Sequence, residues 1–175
     1  MNIVLIGFMG TGKSAVGRVL ARRTGFRHLD TDAEIERAAG KTIPQIFTEL
    51  GEAAFREQET AFLSLLAEAA SVDSLILSTG GGTPLRADNA ALLKRIGTVV
   101  WLHVASNAIL ARVAHSLHER PLLAAHHADP LGRIESLLAV REPQYAALAD
   151  IILETSDCAS SEEGAARLME QLGLL

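Results

Sequence analysis

The sequence predicts an α/β domain built on a parallel sheet, and three observations predict it. Short apolar runs alternate with longer stretches of helical period. The runs are apolar at nearly every residue, as strands are when both faces of a sheet are covered. Between the first run and the first helical stretch lies a glycine-rich turn, GFMGTGKS, over Gly7–Ser14. A chain of 175 residues, 49% of them apolar, suits one domain with one substantial core.

In order along the chain, strands are expected over Asn2–Ile6, Ser74–Thr79, Thr98–His103 and Asp150–Glu154, with a fainter one over Phe26–Asp30. Helices are expected over Lys13–Thr24, Asp32–Ala39, Glu52–Ala70, Ala87–Arg95, Asn107–Ala114, Pro130–Arg141 and Glu162–Leu172. Such alternation implies right-handed crossovers between parallel strands. The stretch His115–Asp129, HSLHERPLLAAHHAD, keeps no period and reads as a loop and a candidate lid.

The net charge of −5 argues against a nucleic-acid surface, which needs a basic face. If the ligands are anions, a local cluster of Arg and Lys must attract them. Cys158 is the only cysteine, so no disulfide forms within the chain and a reducing cytoplasm is expected. The apolar start, Met1–Ile6, is too short for a secretory core, and no apolar run approaches a membrane span.

GFMGTGKS satisfies G-x-x-x-x-G-K-[ST], with an apolar strand before it and a helical pattern after it. Gly7, Gly10 and Gly12 let the backbone turn tightly and aim N–H groups at phosphate oxygens. The helix start adds its positive dipole end. Lys13 would reach the β- and γ-phosphates of a nucleotide, and the Ser14 hydroxyl would ligate Mg²⁺. The motif fixes nucleotide binding and leaves the acceptor open.

Two acids follow in LDTDAEIE. Asp32 could simply cap the next helix. Alternatively both acids serve a site beyond the strand ends, where ligands of open parallel sheets bind. Asp30 would then hold Mg²⁺ through water, and Asp32 would take the proton of an attacking hydroxyl. Gly80-Gly81-Gly82 at the end of a strand marks close approach of a ligand to the backbone, or else a flexible loop. Arg56 in EAAFREQE either pairs with Glu52 or Glu59 along the helix or serves the site. Arg141 in REPQY either caps a helix ahead of Pro143 or serves the site. Arg120 precedes Pro121, which biases it away from helical geometry and into the loop, where it would stabilise a transferring phosphoryl group. The loop histidines His115, His118, His126 and His127 match no zinc spacing well.

Seven segments taken together resemble the shikimate kinase family: GFMGTGKS, LDTDAEIE, GKTIPQIF, GEAAFREQE, STGGG, ERPLL and REPQYAALAD, in the family's order over nearly the whole chain. The resemblance implies a three-layer P-loop kinase fold, one domain over 1–175, with a five-stranded parallel sheet of order 2-3-1-4-5 between helices. It implies a mobile lid at about 113–129 and an acceptor-binding helical region at about 32–62. The implied reaction moves the γ-phosphoryl group of ATP to the 3-hydroxyl of shikimate. Carried over by position, Lys13, Asp32 and Arg120 are the catalytic set. Asp32, Arg56, Gly80, Gly81, Gly82 and Arg141 bind the acceptor. Gly10, Thr11, Gly12, Lys13, Ser14, Ala15, Arg112 and Arg120 hold the nucleotide, with Arg112 against adenine, and Ser14 and Asp30 hold Mg²⁺. Ala15 stands where the family usually has Thr, so a hydroxyl near the α-phosphate is missing. The loop near Thr155–Ser160 lacks the basic residues of some members. A cytoplasmic monomer that binds neither nucleic acid nor membrane is the expected form. The rivals left open are a gluconate, quinate or nucleoside monophosphate kinase of the same group, and a catalytically silent binding domain.

Overall fold

The computed structural model describes residues 1–69, 74–115 and 129–174. Five strands, β1 (Asn2–Ile6), β2 (Arg27–Asp30), β3 (Leu75–Ser78), β4 (Thr98–His103) and β5 (Ile151–Glu154), form one sheet of order β2-β3-β1-β4-β5. Every pairing is parallel. The helices are α1 (Lys13–Thr24), α2 (Thr31–Ala39), α3 (Ile43–Glu68), α4 (Ala87–Ile96), α5 (Ser106–Val113), α6 (Pro130–Leu148) and α7 (Ser161–Gln171).

The central strand shows why the chain folds in three layers. Successive side chains of β1 point to opposite faces. Val4 and Ile6 join a core with Leu63 of α3, Leu93 of α4 and Tyr145 of α6. Ile3 and Leu5 join a second core with Val16 and Leu20 of α1 and Leu168 of α7. Full burial of each such side chain contributes about 1.5–3 kcal/mol. A third, smaller cluster of Ile35, Ile46 and Phe55 packs α2 against α3.

Three local expectations need correction. A helical segment over residues 43–50, not expected, precedes the expected one from Glu52, because Thr42 and Gln45 form a capping box: the Thr42 N–H donates to Gln45 and the Gln45 N–H to the Thr42 hydroxyl. Gly51, at φ 84° and ψ 162°, is non-helical and forms the kink between the two segments of α3. α6 runs through Pro143 to Leu148, so Arg141 lies inside the helix and is not its C-cap. An interior proline costs about 3 kcal/mol. Burial of Ile134, Leu138, Tyr145 and Leu148 along one face of α6 offsets that cost. Finally, Asp30 rather than Asp32 caps α2, accepting from the N–H groups of Asp32 and Ala33 at 3.1 and 3.4 Å.

Candidate active site

The loop after β1 curls around its own carbonyl oxygens. Gly10 and Gly12 take φ 78° and 91°, the left-handed region open to glycine. A Cβ at Gly7 would stand 2.7 Å from the Leu102 carbonyl oxygen. Lys13 is buried, and its Nζ donates to the carbonyls of Gly7 and Phe8 at 2.9 and 2.8 Å. Those bonds hold the ammonium inside the curl, at the N-terminus of α1, where charge and helix dipole both favour an anion. A cavity of about 370 Å³ opens over it, lined by Gly12, Lys13, Ser14, Asp30, Asp32 and Gly81 among others.

Behind this loop, His28 of β2 meets the Ser78 hydroxyl at 2.9 Å, and that hydroxyl donates to the Lys13 carbonyl at 3.2 Å. With the serine proton committed to Lys13, the His28 Nε2 is the donor in the first bond. Burial lowers the His28 pKa and so favours the neutral ring. Gly17 makes room for it, since a Cβ there would meet His28 Nε2 at 2.6 Å.

The Ser14 hydroxyl donates to Asp30 at 2.5 Å at the lip of the cavity. A hydroxyl and a carboxylate are hard oxygen donors, and this pair fits Mg²⁺. Asp32 sits deeper. Burial raises its pKa to about 6, and the neighbouring charges of Asp30 and Glu59 push the same way, against Lys13 and Arg56. Its carboxylate lies against the glycine turn, where a Cβ on Gly80 would come 2.7 Å from Oδ1.

The turn after β3 is pinned on several sides. The Gly80 N–H donates to the Thr31 hydroxyl at 3.0 Å. Gly81 backs onto the first loop, since its Cβ would lie 3.3 Å from the Met9 amide nitrogen. The Tyr145 hydroxyl donates to the Gly81 carbonyl at 2.6 Å. Gly82 faces Arg56, whose Nη2 is 2.9 Å from where a Cβ would be.

Arg56 makes the ion pairs expected along its helix. It pairs with Glu52 and with Glu59, each at 3.2 Å, and it also stands over the glycine turn. Glu59 is fully buried and accepts from Thr83 at 2.6 Å and Asn89 at 3.1 Å. Thr60 donates to Asn89 in turn, at 2.7 Å. Arg141 lies beside the Tyr145 hydroxyl, with its guanidinium 5.4 Å from the Phe8 ring centroid.

On the far side of the first loop, a cavity of about 250 Å³ is lined by Thr11, Ala15, Arg112, Thr155, Cys158 and Ser160 among others. Arg112 bridges its walls, donating to the carbonyls of Thr155 at 2.5 Å and Thr11 at 3.4 Å. Arg120, His118, His126 and His127 lie outside the described residues. Among the described residues no group of three or more His, Cys, Asp or Glu gathers to hold a metal.

The structure therefore brings Lys13, Ser14, Asp30, Asp32, Arg56 and the three glycines to one mouth. Sequence reasoning gave Glu59 only as an ion-pair partner, and it gave no task to Thr31, Asn89 or Tyr145. The signals available were spacings: Glu59 follows Arg56 by one helical turn, and Tyr145 follows Arg141 by one.

Comparison with known proteins agrees with this geometry. The family model described as "Shikimate kinase" matches residues 9–173. A shikimate kinase of Symbiobacterium thermophilum is 43% identical over 173 residues, covering 98% of this chain and 96% of that protein. One from Neisseria meningitidis serogroup C is 43% identical over 157 residues, covering 90% and 89%. A solved shikimate kinase from Acinetobacter baumannii, in complex with shikimate, superposes with a TM-score of 0.84 at 39% identity, covering 99% of this chain and 93% of that one. The Bacteroides thetaiotaomicron enzyme gives 0.85 at 34%, covering 99% and 98%.

Proposed function

The chain belongs to the shikimate kinase family, and from that premise we infer that it transfers the γ-phosphoryl group of ATP to the 3-hydroxyl of shikimate, releasing ADP and shikimate 3-phosphate. One observation carries the reading beyond kinship. A half-buried carboxylate, Asp32, stands between a phosphate-binding loop and a glycine turn flanked by Arg56.

The nucleotide occupies Gly10–Ala15, with its phosphates on the loop amides and Lys13 and its base beside Arg112. Ala15 offers no hydroxyl to the α-phosphate. The acceptor carboxylate lies on Arg56, Arg141 and the amides of the Gly80–Gly82 turn, where bidentate arginine contacts orient as well as attract. With its pKa at about 6, Asp32 is mostly ionised at neutral pH and still basic enough to accept the hydroxyl proton. Ser14 and Asp30 would hold Mg²⁺, Asp30 through water. When bound, the ion supplies positive charge that offsets the phosphates. The protein otherwise aligns two anions and offers them fixed charge, which is most of what phosphoryl transfer asks. Arg120, in the proposed lid at 113–129, would add a charge on closure, and the acceptor region spans 32–62. A cytoplasmic monomer that binds no nucleic acid completes the reading, supported by the lone Cys158 and the net charge of −5. No helix among the described residues is long and apolar enough to cross a membrane.

An ADP-release assay with shikimate, quinate, gluconate and AMP as acceptors tests this. Shikimate should be strongly preferred. Preference for gluconate or AMP, or no turnover with any, would overturn it.

A further inference from the structure

Tyr145 is the chain's only tyrosine, and its ring is fully buried in the core beside Trp101, with centroids 5.8 Å apart. Packing alone would be met by phenylalanine. The hydroxyl, however, reaches out of the core to the Gly81 carbonyl at 2.6 Å. Its proton goes to Gly81, and the Arg141 guanidinium, one helical turn earlier on α6, lies near the same hydroxyl. That guanidinium in turn lies by the Phe8 ring in the phosphate loop.

Two parts from different elements, the Gly81 peptide and the Arg141 side chain, thus lie beside one hydroxyl. Glycine is the least constrained residue in backbone conformation, and Arg a side chain with about 2 kcal/mol of rotamer entropy. A carboxylate bound by both must find them in register, and each is more mobile without the hydroxyl. Holding the Gly81 carbonyl also fixes the adjoining peptide plane, so the N–H on its far side has one direction. Arg56 needs no such help, because Glu59 already holds it.

We propose that Tyr145 is a positioning residue for the acceptor carboxylate: its hydroxyl locks the Gly81 peptide and the Arg141 guanidinium into one preorganised anion site. This rests on the shikimate reading above. The tyrosine itself touches neither reacting group, and it acts on affinity for the acceptor rather than on the transfer step.

Tyr145→Phe removes the hydroxyl and keeps the ring. The KM for shikimate should rise about tenfold, the worth of one well-placed hydrogen bond. The kcat and the KM for ATP should stay within about twofold. The methyl ester of shikimate, uncharged at the carboxyl, should show a smaller change than shikimate. A merely structural role would instead lower kcat through loss of active enzyme, with the KM unmoved. A second measurement needs no mutation. Growth on 3-fluorotyrosine labels this position alone, and its ¹⁹F resonance should shift on titration with shikimate and much less with ADP. An unmoved KM in soluble Tyr145→Phe, or a resonance blind to shikimate, overturns the proposal. If the unaltered enzyme fails to turn over shikimate at all, the functional reading falls and takes this inference with it. Turnover with an insensitive Tyr145 removes the inference alone.

Discussion

Arg56 and Glu59 meet at 3.2 Å, and the glutamate is wholly shielded from solvent while the arginine side chain keeps 25% of its exposure. The pair is lopsided: one end belongs to the core and the other to the mouth of the site. Glu52 binds the same guanidinium at the same distance but is 68% exposed. A solvent-exposed ion pair contributes about 0–1 kcal/mol. Removing one partner of a buried pair costs about 3–5 kcal/mol. Glu59→Ala should therefore lower unfolding free energy by about 3 kcal/mol in urea titration and raise the KM for shikimate. Glu52→Ala should change either little. Equal effects would mean that the two carboxylates hold Arg56 alike.

Asp32 couples stability to pH in the direction opposite to most carboxylates. Its pKa is raised from 3.8 to about 6, so its ionised form disfavours the fold. The cost is absent below pH 3.8, grows as pH rises toward 6, and is complete above it, on the order of 3 kcal/mol. Asp32→Asn should then be the more stable protein at pH 7.5 and lose that advantage by pH 4. The same variant should lose roughly 10²–10⁴ in kcat. Wild-type kcat/KM should show an acidic limb near pH 6. A variant no more stable than wild type at pH 7.5 would remove burial as the cause of the shift.

Asp30 has two attachments, and one substitution separates them. Its carboxylate caps α2 and accepts from Ser14. Asp30→Ala should cost about 1 kcal/mol as a lost helix cap, whatever the metal. It should also raise the Mg²⁺ concentration for half-maximal rate, with partial rescue at high Mg²⁺. A stability loss with an unchanged Mg²⁺ titration would leave capping as its whole contribution.

Gly82 has a side chain's worth of space taken by Arg56. A methyl at this position would lie 2.9 Å from Nη2 and 3.1 Å from Nη1, closer than contact permits. Gly82→Ala should push the guanidinium off its seat and raise the KM for shikimate at least fivefold, with ATP binding by calorimetry unchanged. Its φ of −92° is open to alanine, so backbone strain should not confuse the result.

What could be read from the residues and what could not divide along physical lines. GFMGTGKS was legible because its glycines and lysine answer a backbone requirement that holds in any surroundings. The three inner strands β1, β3 and β4 were legible because burial on both faces leaves an unbroken apolar run, and the edge strand β5 keeps the apolar residues Ile151–Leu153 although only Leu153 is buried. β2 was fainter because it is an edge strand, with Arg27 exposed and only Leu29 buried. The first turns of α3 were missed because Gly51 interrupts the pattern that continues beyond it. The end of α6 was misplaced because the packing of Tyr145 and Leu148 outweighs a local signal from Pro143. Glu59 and Tyr145 were legible only as spacings, since what they hold comes from elsewhere in the chain: Thr83 and Asn89 for the first, Gly81 for the second.

The sheet order has a consequence for how the reactants are spaced. Leu5 of β1, Ser78 of β3 and Asp30 of β2 stand in one row across the sheet. On the proposed reading the donor's loop leaves β1 and the acceptor's turn leaves β3, and these strands are hydrogen-bonded neighbours, about 4.8 Å apart. The gap between the two ligands is thus gauged by a ladder of backbone bonds and not by any side chain. Loop sequences on either side can drift without altering that gauge. A single-residue slip of β3 against β1 would carry the acceptor turn about 3.3 Å along the strand and turn its side chains to the opposite face. That is comparable to the whole distance across which the reacting atoms must meet.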